Sequence, residues 1–187
     1  MTSDSENLPK RLYLLRHALA LPAESGGEDI KRALAPRGVE DAKALAAIMR
    51  LKGYLPDYAL CSPAVRTRQT LEPIEERITL TDISRPMILY TGSPGDLLAT
   101  IQKVSPSFEQ VILSGHNPGI GQLAKLLTGR GGESLVQRLN EGFRPGTLAV
   151  FAFTGDDWAD VRPGGLELTD FMDPLDYNAP STPARWT

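Results

Sequence analysis

Strand-like and helix-like segments alternate along almost the whole chain. Short apolar runs predict strands over 11–16, 58–61, 86–90, 109–114, 147–153 and 166–171. Between them, apolar residues recur at helical spacing, most clearly over 42–49 and 120–127. This alternation predicts an α/β fold, a three-layer α/β/α sandwich around a mostly parallel central sheet.

The chain length sets the domain organisation. A length of 187 residues suits one domain with a single substantial core. We expect a disordered N-terminus over 1–9, one domain over 10–171 and a Pro-rich C-terminal tail over 172–187.

Charge and cysteine content narrow the classes of partner. The net charge of −3 argues against a nucleic-acid binder, which needs a basic face. The single cysteine, Cys61, excludes an internal disulfide and suits a reducing compartment. The apolar run near the N-terminus resembles a signal peptide, but Arg16 and His17 interrupt it, and no run is long enough to span a bilayer. We therefore expect a cytoplasmic protein that binds neither nucleic acid nor membrane.

Three predicted strands end in polar residues. The first ends in Arg16-His17, the second runs into "CSPAVRTRQT" (61–70), and the fourth runs into "SGHNPGIG" (114–121). The carboxyl ends of parallel strands meet at one edge of a sheet, where ligands bind. We expect these three segments to form one site.

The second and fourth segments both resemble helix starts. Ser62 and Asn117 are each followed by proline, which predicts that they act as N-caps with proline in the first turn. A helix start offers unpaired N–H groups and a positive dipole end to an anion. Together with Arg16, Arg66 and the only two histidines of the chain, this predicts a site for a phosphate dianion.

The two histidines take different roles in such a site. We expect the cations near His17 to keep its imidazole neutral by like-charge repulsion, which makes it a competent nucleophile for a phosphoryl group. His116, Arg16 and Arg66 would stabilise the charge on the phosphoryl oxygens.

The segments "LYLLRHA", "SPAVRTRQT" and "LSGHNPG", in this order, resemble the motifs of the histidine phosphatase superfamily. They are most similar to its SixA-like phosphohistidine phosphatase branch, and the resemblance covers roughly residues 11–153. It implies a phosphoglycerate mutase-like fold, phosphorylation of His17, and a phosphate pocket formed by Arg16, Arg66 and His116.

The resemblance also implies binding residues outside these motifs. Arg32, in "KRALAPRG", matches a further phosphate-contacting arginine of that branch, although Lys31 or Arg37 could take its place. We group Asn117 with Arg32 as a substrate-binding residue, with a plain helix cap as the alternative.

Two positions depart from the family pattern. Leu19 stands where the family usually has a charged residue, which predicts a more apolar pocket rim. Ala35 stands where a Thr is common before "PRG", which predicts a helix without a side-chain cap.

The sequence also departs from the family pattern at the position of the proton donor. Its mutases and ester phosphatases place a carboxylic acid near the third strand end, but "ILYTGSPGD" offers only Tyr90 and Asp96 as candidates. A P–N bond needs this acid less, because an imidazole can leave neutral when its other nitrogen carries a proton. The sequence therefore favours phosphohistidine on a signalling phosphotransfer protein as the substrate.

Other interpretations are weaker. A phosphatase or mutase acting on a small phosphate ester would need a proton donor, and a catalytically inactive phosphate- or phosphoprotein-binding module would not need both histidines. Cys61 and Arg66 are spaced C-x4-R, whereas cysteine-dependent phosphatases use C-x5-R. No Walker loop occurs, and two separated histidines beside arginines make a poor metal site, so we predict no cofactor and no metal.

Overall fold

The computed structural model describes residues 9–23 and 25–177. Within them, one sheet contains β1 (Lys10–Arg16), β2 (Tyr58–Cys61), β3 (Asp82–Ser84), β4 (Gln110–Gly115), β5 (Thr128–Gly131), β6 (Leu148–Phe153) and β7 (Leu166–Met172). The strand order is β3-β2-β4-β1-β6-β7-β5. Only the β1–β6 and β6–β7 pairs are antiparallel. The predicted α/β class with a mostly parallel sheet is confirmed.

Helices cover both faces of the sheet. They are α1 (Pro36–Leu51), α2 (Val65–Glu75), α3 (Ile88–Thr91), α4 (Pro94–Ile101), α5 (Gly119–Leu127), α6 (Glu133–Glu141) and α7 (Pro174–Tyr177), with 3-10 turns at Asp29–Lys31 and Trp158–Asp160. In the described part of the chain, none is long and apolar enough to cross a membrane.

The alternation of side chains along β1 divides the core into two layers. Leu12 and Leu14 face a cluster that includes apolar residues of α4, α5 and α6. Tyr13 and Leu15 face the opposite cluster, which includes residues of α1 and α2. Because both faces are buried, β1 is apolar throughout its centre, and the three predicted layers are present.

The three central strands end level with one another. β1, β4 and β2 are neighbours and parallel, and the register pairs Arg16 with Gly115 and Cys61 with Ser114. The residues that follow each strand therefore meet at one edge of the sheet, as predicted.

The predicted strand over 86–90 is wrong. The third strand is β3, and 88–91 form the short helix α3, in which the amide of Gly92 donates to the carbonyl of Ile88 at 2.8 Å. Only Leu89 of this helix is buried, while Met87 and Ile88 are exposed. A four-residue apolar run has the same pattern in a strand and in a helical turn, so periodicity cannot distinguish them.

The predicted N-caps are also wrong. Helix α2 begins at Val65, with Ala64 rather than Ser62 at the N-cap position. Helix α5 begins at Gly119, after Pro118 rather than Asn117. The prolines correctly mark the helix starts, but the polar side chains before them bind elsewhere in the site. Arg66 does lie in the first turn of α2, as predicted.

The fold extends beyond residue 171. Helix α7 follows β7 directly, and the hydroxyl of Tyr177 donates to the carbonyl of Gly146 at 2.7 Å. The segments 1–8 and 178–187, which belong to the expected N-terminus and tail, lie outside the described residues.

Candidate active site

His17 is held rigidly at the end of β1. Its backbone N–H donates to the carbonyl of Gly115 at 3.1 Å, and its side chain is almost fully buried. Its Nδ1 lies 2.7 Å from the carbonyl oxygen of Ala18. A carbonyl can only accept, so Nδ1 carries the proton and Nε2 of the neutral ring keeps a free electron pair.

The surroundings of His17 favour this neutral ring. Burial, with smaller contributions from the guanidinium groups of Arg66, Arg16 and Arg32, lowers the pKa of His17 to about 4. The predicted charge repulsion is present, but desolvation is the larger cause.

His116 lies against His17. The two ring centroids are 5.1 Å apart, and Nε2 of His116 lies 2.7 Å from the hydroxyl of the fully buried Ser62. Burial lowers the pKa of His116 to about 3, with a smaller contribution from His17. Nδ1 of His116 is buried without a hydrogen-bond partner among the described residues. Ser62, which we predicted to be a helix cap, thus binds the second histidine.

Two arginines present buried, unpaired donors. Arg66 is 5% exposed, and Nε of both Arg16 and Arg66 lacks a hydrogen-bond partner within the described part of the chain. One Nη of Arg16 donates to the carbonyl of Phe143 at 2.7 Å. An unpaired buried donor costs about 1–3 kcal/mol, so both guanidinium groups would gain from an anionic ligand.

A carboxylate that our sequence analysis did not identify completes the site. Asp29, in the 3-10 turn of the first loop, accepts from Nη2 of Arg66 at 2.9 Å and from Nη1 of Arg32 at 2.8 Å. The hydroxyl of Tyr90 donates to the same carboxylate at 2.6 Å. The Tyr90 ring packs edge-on against His116, with 5.3 Å between centroids. The signal in the sequence was weak: Asp29 precedes Arg32 by three residues.

The remaining predicted residues differ in how they contact these site residues. Arg32 is bound to Asp29 and is near enough to His17 to lower its pKa. Asn117 donates through Nδ2 to the carbonyl of Phe143 at 2.9 Å, and with His116 and Tyr90 it lines a cavity of about 300 Å³. Asp96 instead caps α4 in a reciprocal pair with Ser93.

The end of "SPAVRTRQT" anchors the first loop. The hydroxyl of Thr70 accepts from the amide of Ala18 at 3.0 Å, and the side-chain oxygen of Gln69 accepts from the amide of Leu34 at 2.8 Å. Gly38 of α1 allows a close approach to this loop, because an added Cβ would collide with the carbonyl oxygen of Leu19. These contacts fix the backbone that carries His17.

Cys61 plays no part in the chemistry of this arrangement. It is fully buried, and burial raises the pKa of its thiol to about 12. This agrees with its predicted role as a small buried apolar residue. The described residues contain no group of three or more His, Cys, Asp or Glu side chains that could hold a metal ion.

Several known proteins with a similar sequence and fold are named as phosphatases. The sequence profile of the histidine phosphatase superfamily (branch 1) matches residues 12–87. A solved structure from Nakamurella multipartitia, named as a phosphohistidine phosphatase SixA, is 34% identical, with a TM-score of 0.74 over 89% of this chain and 96% of that one. Its counterpart from Agrobacterium tumefaciens is 30% identical, with a TM-score of 0.75 over 90% and 100% of the two chains.

The chain belongs to the histidine phosphatase superfamily. Within the superfamily it is SixA-like, and it is a hydrolase of the phosphatase class. An uncharacterized protein of Mycobacterium tuberculosis, Rv1276c, is 32% identical over 166 residues, which is 86% of this chain and 99% of the relative. The resemblance seen in the three motifs is thus confirmed over most of the chain.

Proposed function

We propose that this histidine phosphatase removes the phosphoryl group from phosphohistidine on a signalling phosphotransfer protein, through a phosphorylated His17. The observation that carries the proposal is the orientation of His17. Its Nδ1–H is bound to the Ala18 carbonyl, so Nε2 is the free nucleophile. The unpaired Nε groups of Arg16 and Arg66 are suited to the incoming phosphoryl oxygens.

The first step exchanges one P–N bond for another. Nε2 of His17 attacks phosphorus while the bond to the substrate's imidazole nitrogen breaks, and the released electron pair stays on that nitrogen. The proton on the other ring nitrogen of the substrate remains in place, so the imidazole leaves neutral. In the second step water attacks phosphorus, the bond to Nε2 of His17 breaks, and dihydrogen phosphate leaves with both protons of the water.

The phosphoryl oxygens need donors throughout both steps. We assign Arg16, Arg66 and His116 to this catalytic role, and Arg32 to phosphate binding. For a neutral His116 to donate from Nδ1, the Ser62 hydroxyl must donate to its Nε2. Asn117 lies on the cavity beside His116, and we assign it to contact with the chain of the phosphoprotein next to its phosphohistidine.

Phosphohistidine is favoured over a phosphate ester because none of the carboxyl and phenol groups described at the site is a good proton donor. The hydrogen bond from Tyr90, with Arg32 and Arg66, keeps the pKa of Asp29 well below its usual range. The hydrogen bond to Asp29 raises the pKa of Tyr90. Asp96 is bound to Ser93. The relatives named as phosphohistidine phosphatases point the same way. The single cysteine is compatible with the cytoplasm, where we place the reaction.

The test varies both the substrate and the nucleophile. Wild type and His17→Ala are assayed on a phosphohistidine-bearing phosphotransfer protein and on simple phosphate monoesters. We expect fast loss of phosphohistidine that disappears in His17→Ala. A preference for esters would instead make this a small-molecule phosphatase or mutase, and phosphate binding without turnover would make it a binding module.

A further inference from the structure

Asp29 is a fixed negative charge on the open side of a cationic site. Its carboxylate accepts hydrogen bonds from Arg66, Arg32 and Tyr90. Its side chain nevertheless stays 47% exposed, so a bound leaving group can approach it. The backbone carbonyl of Asp29 also accepts from Nη1 of Arg66 at 2.7 Å, which fixes the whole residue against α2.

The order of side chains places Asp29 away from the nucleophile. His17 is 8% exposed and its ring lies against that of His116. The His116 ring contacts the Tyr90 ring, and the Tyr90 hydroxyl donates to Asp29. An in-line displacement puts the leaving group opposite the nucleophile. With His17 at the buried end, the leaving group departs toward the open end, where Asp29 lies.

We infer that Asp29 is a specificity-determining residue. It selects against phosphoryl substrates whose leaving group is anionic, and in favour of substrates whose leaving group is protonated and cationic while it is still bound to phosphorus. The second half of this inference rests on the proposed function, because a phosphoimidazole protonated on its free nitrogen is such a substrate. Charge repulsion and attraction at this range change relative rates by about tenfold or more.

The role of Asp29 parallels that of the Ala18 carbonyl. Before departure the substrate's imidazole carries one proton and a positive charge, and a carboxylate stabilises that form. As the P–N bond breaks, its electron pair neutralises the ring and the proton stays on the other nitrogen. Asp29 therefore supplies charge and no proton, just as the Ala18 carbonyl holds the proton of His17 without taking it.

Asp29 is the carboxylate among several cations and titratable groups at this position. The charged and titratable groups that face it are Arg32 from its own loop, Arg66 from α2, Tyr90 from α3 and His116 after β4. The neighbouring Lys31 and Glu28 pair with each other.

The experiment measures kcat/KM on three substrates: phosphoimidazole, phenyl phosphate and 4-carboxyphenyl phosphate. Wild type is compared with Asp29→Asn, which keeps the shape and removes the charge. Asp96→Asn is the matched control, because it removes an exposed carboxylate that caps α4 and accepts its hydrogen bonds from Ser93. Thermal unfolding checks that each variant is folded.

The effect is read from two ratios: the kcat/KM for carboxyphenyl phosphate and that for phosphoimidazole, each divided by the kcat/KM for phenyl phosphate. In Asp29→Asn we expect the ratio for carboxyphenyl phosphate to rise about tenfold and the ratio for phosphoimidazole to fall about tenfold. In Asp96→Asn both ratios should stay unchanged. The basic limb of the phosphoimidazole pH profile should move to lower pH by about 1 in Asp29→Asn, since the protonated substrate loses its counter-charge. An equal loss on all three substrates would overturn the inference and leave Asp29 a support for Arg32 and Arg66.

The inference and the proposed function can fail separately. A wild type that hydrolyses phenyl phosphate but leaves phosphoimidazole intact contradicts the proposed function, while the two aryl esters still test Asp29. If Asp29→Asn does not fold, the wild type provides the test. Its preference for phenyl over carboxyphenyl phosphate should shrink from low to high salt, and a salt-independent preference would overturn the inference.

Discussion

The Nδ1–H group of His17 donates to the carbonyl oxygen of Ala18 across 2.7 Å. This one hydrogen bond settles which nitrogen is protonated and leaves Nε2 for the phosphoryl group. It also links the nucleophile to Thr70, which binds the amide of Ala18. The site is therefore organised around a short stretch of backbone rather than around a charged partner of the histidine.

The protonation of His17 can be observed directly. Because burial and three guanidinium groups lower its pKa, we expect a titration midpoint of about 4 and an Nδ1–H tautomer above it. Side-chain nitrogen NMR is practical, since the chain has only two histidines and His116→Gln identifies the remaining signal. A midpoint near the ordinary 6.5 would contradict the account.

Stability should fall as the pH is lowered from about 6.5 toward 4. Both histidines have a lower pKa in the folded state than in the unfolded chain, so the unfolded chain binds more protons in this range. The contribution of Asp29 has the same sign, but it is lost only as the pH falls below its ordinary pKa of 3.8. Denaturant unfolding of wild type and His17→Asn measures the slope, which should be shallower in the variant. Equal slopes would mean that His17 titrates normally.

Thr70→Val should impair both stability and turnover. The change leaves the buried amide of Ala18 without its acceptor, at a cost of about 1–3 kcal/mol. Because Ala18 positions His17, we expect kcat to fall roughly tenfold while KM changes little. Thr70→Ser keeps the hydroxyl and should retain most of the activity. A Thr70→Val enzyme with wild-type kcat would show that this bond does not position the nucleophile.

Ala35→Ser should stabilise the protein. Ala35 is the N-cap of α1, has extended backbone angles of −69° and 158°, and makes no side-chain cap. A hydroxyl there adds about 1 kcal/mol, which raises Tm by about 2–4 °C in a chain of this size. Ala35→Val, which cannot cap, is the control. If the serine variant gained no more than the valine variant, the position would not act as a cap.

The central strands could be predicted because the fold buries both of their faces. The centres of β1, β2, β4 and β6 are nearly continuous apolar runs, and each is followed by a polar or turn-forming segment. The strand assignment failed at 86–90, where a short apolar run forms a helical turn. Strand β5, with the sequence Thr-Gly-Arg-Gly, carries no strand pattern, and among the described strands it pairs with β7 alone, at the edge of the sheet.

The candidate site could be predicted where a reactive side chain directly follows the end of a strand. His17 and His116 lie side by side because β1 and β4 are parallel neighbours. Asp29 was not predictable, because its partners Arg66 and Tyr90 lie 37 and 61 residues away along the chain. The sequence showed no carboxylate at the third strand end, and the structure instead places Asp29 of the first loop beside the site, where the hydrogen bond from Tyr90 and the neighbouring arginines lower its pKa.

The most direct test of the account is to trap the phosphorylated enzyme. The protein is mixed with a histidine phosphotransfer protein that carries a radiolabelled phosphoryl group, and the reaction is quenched within one turnover. We expect an acid-labile, alkali-stable phosphoryl group on Nε2 of His17, absent from His17→Ala. Label on another residue, or turnover of phosphohistidine by His17→Ala at the wild-type rate, would contradict it.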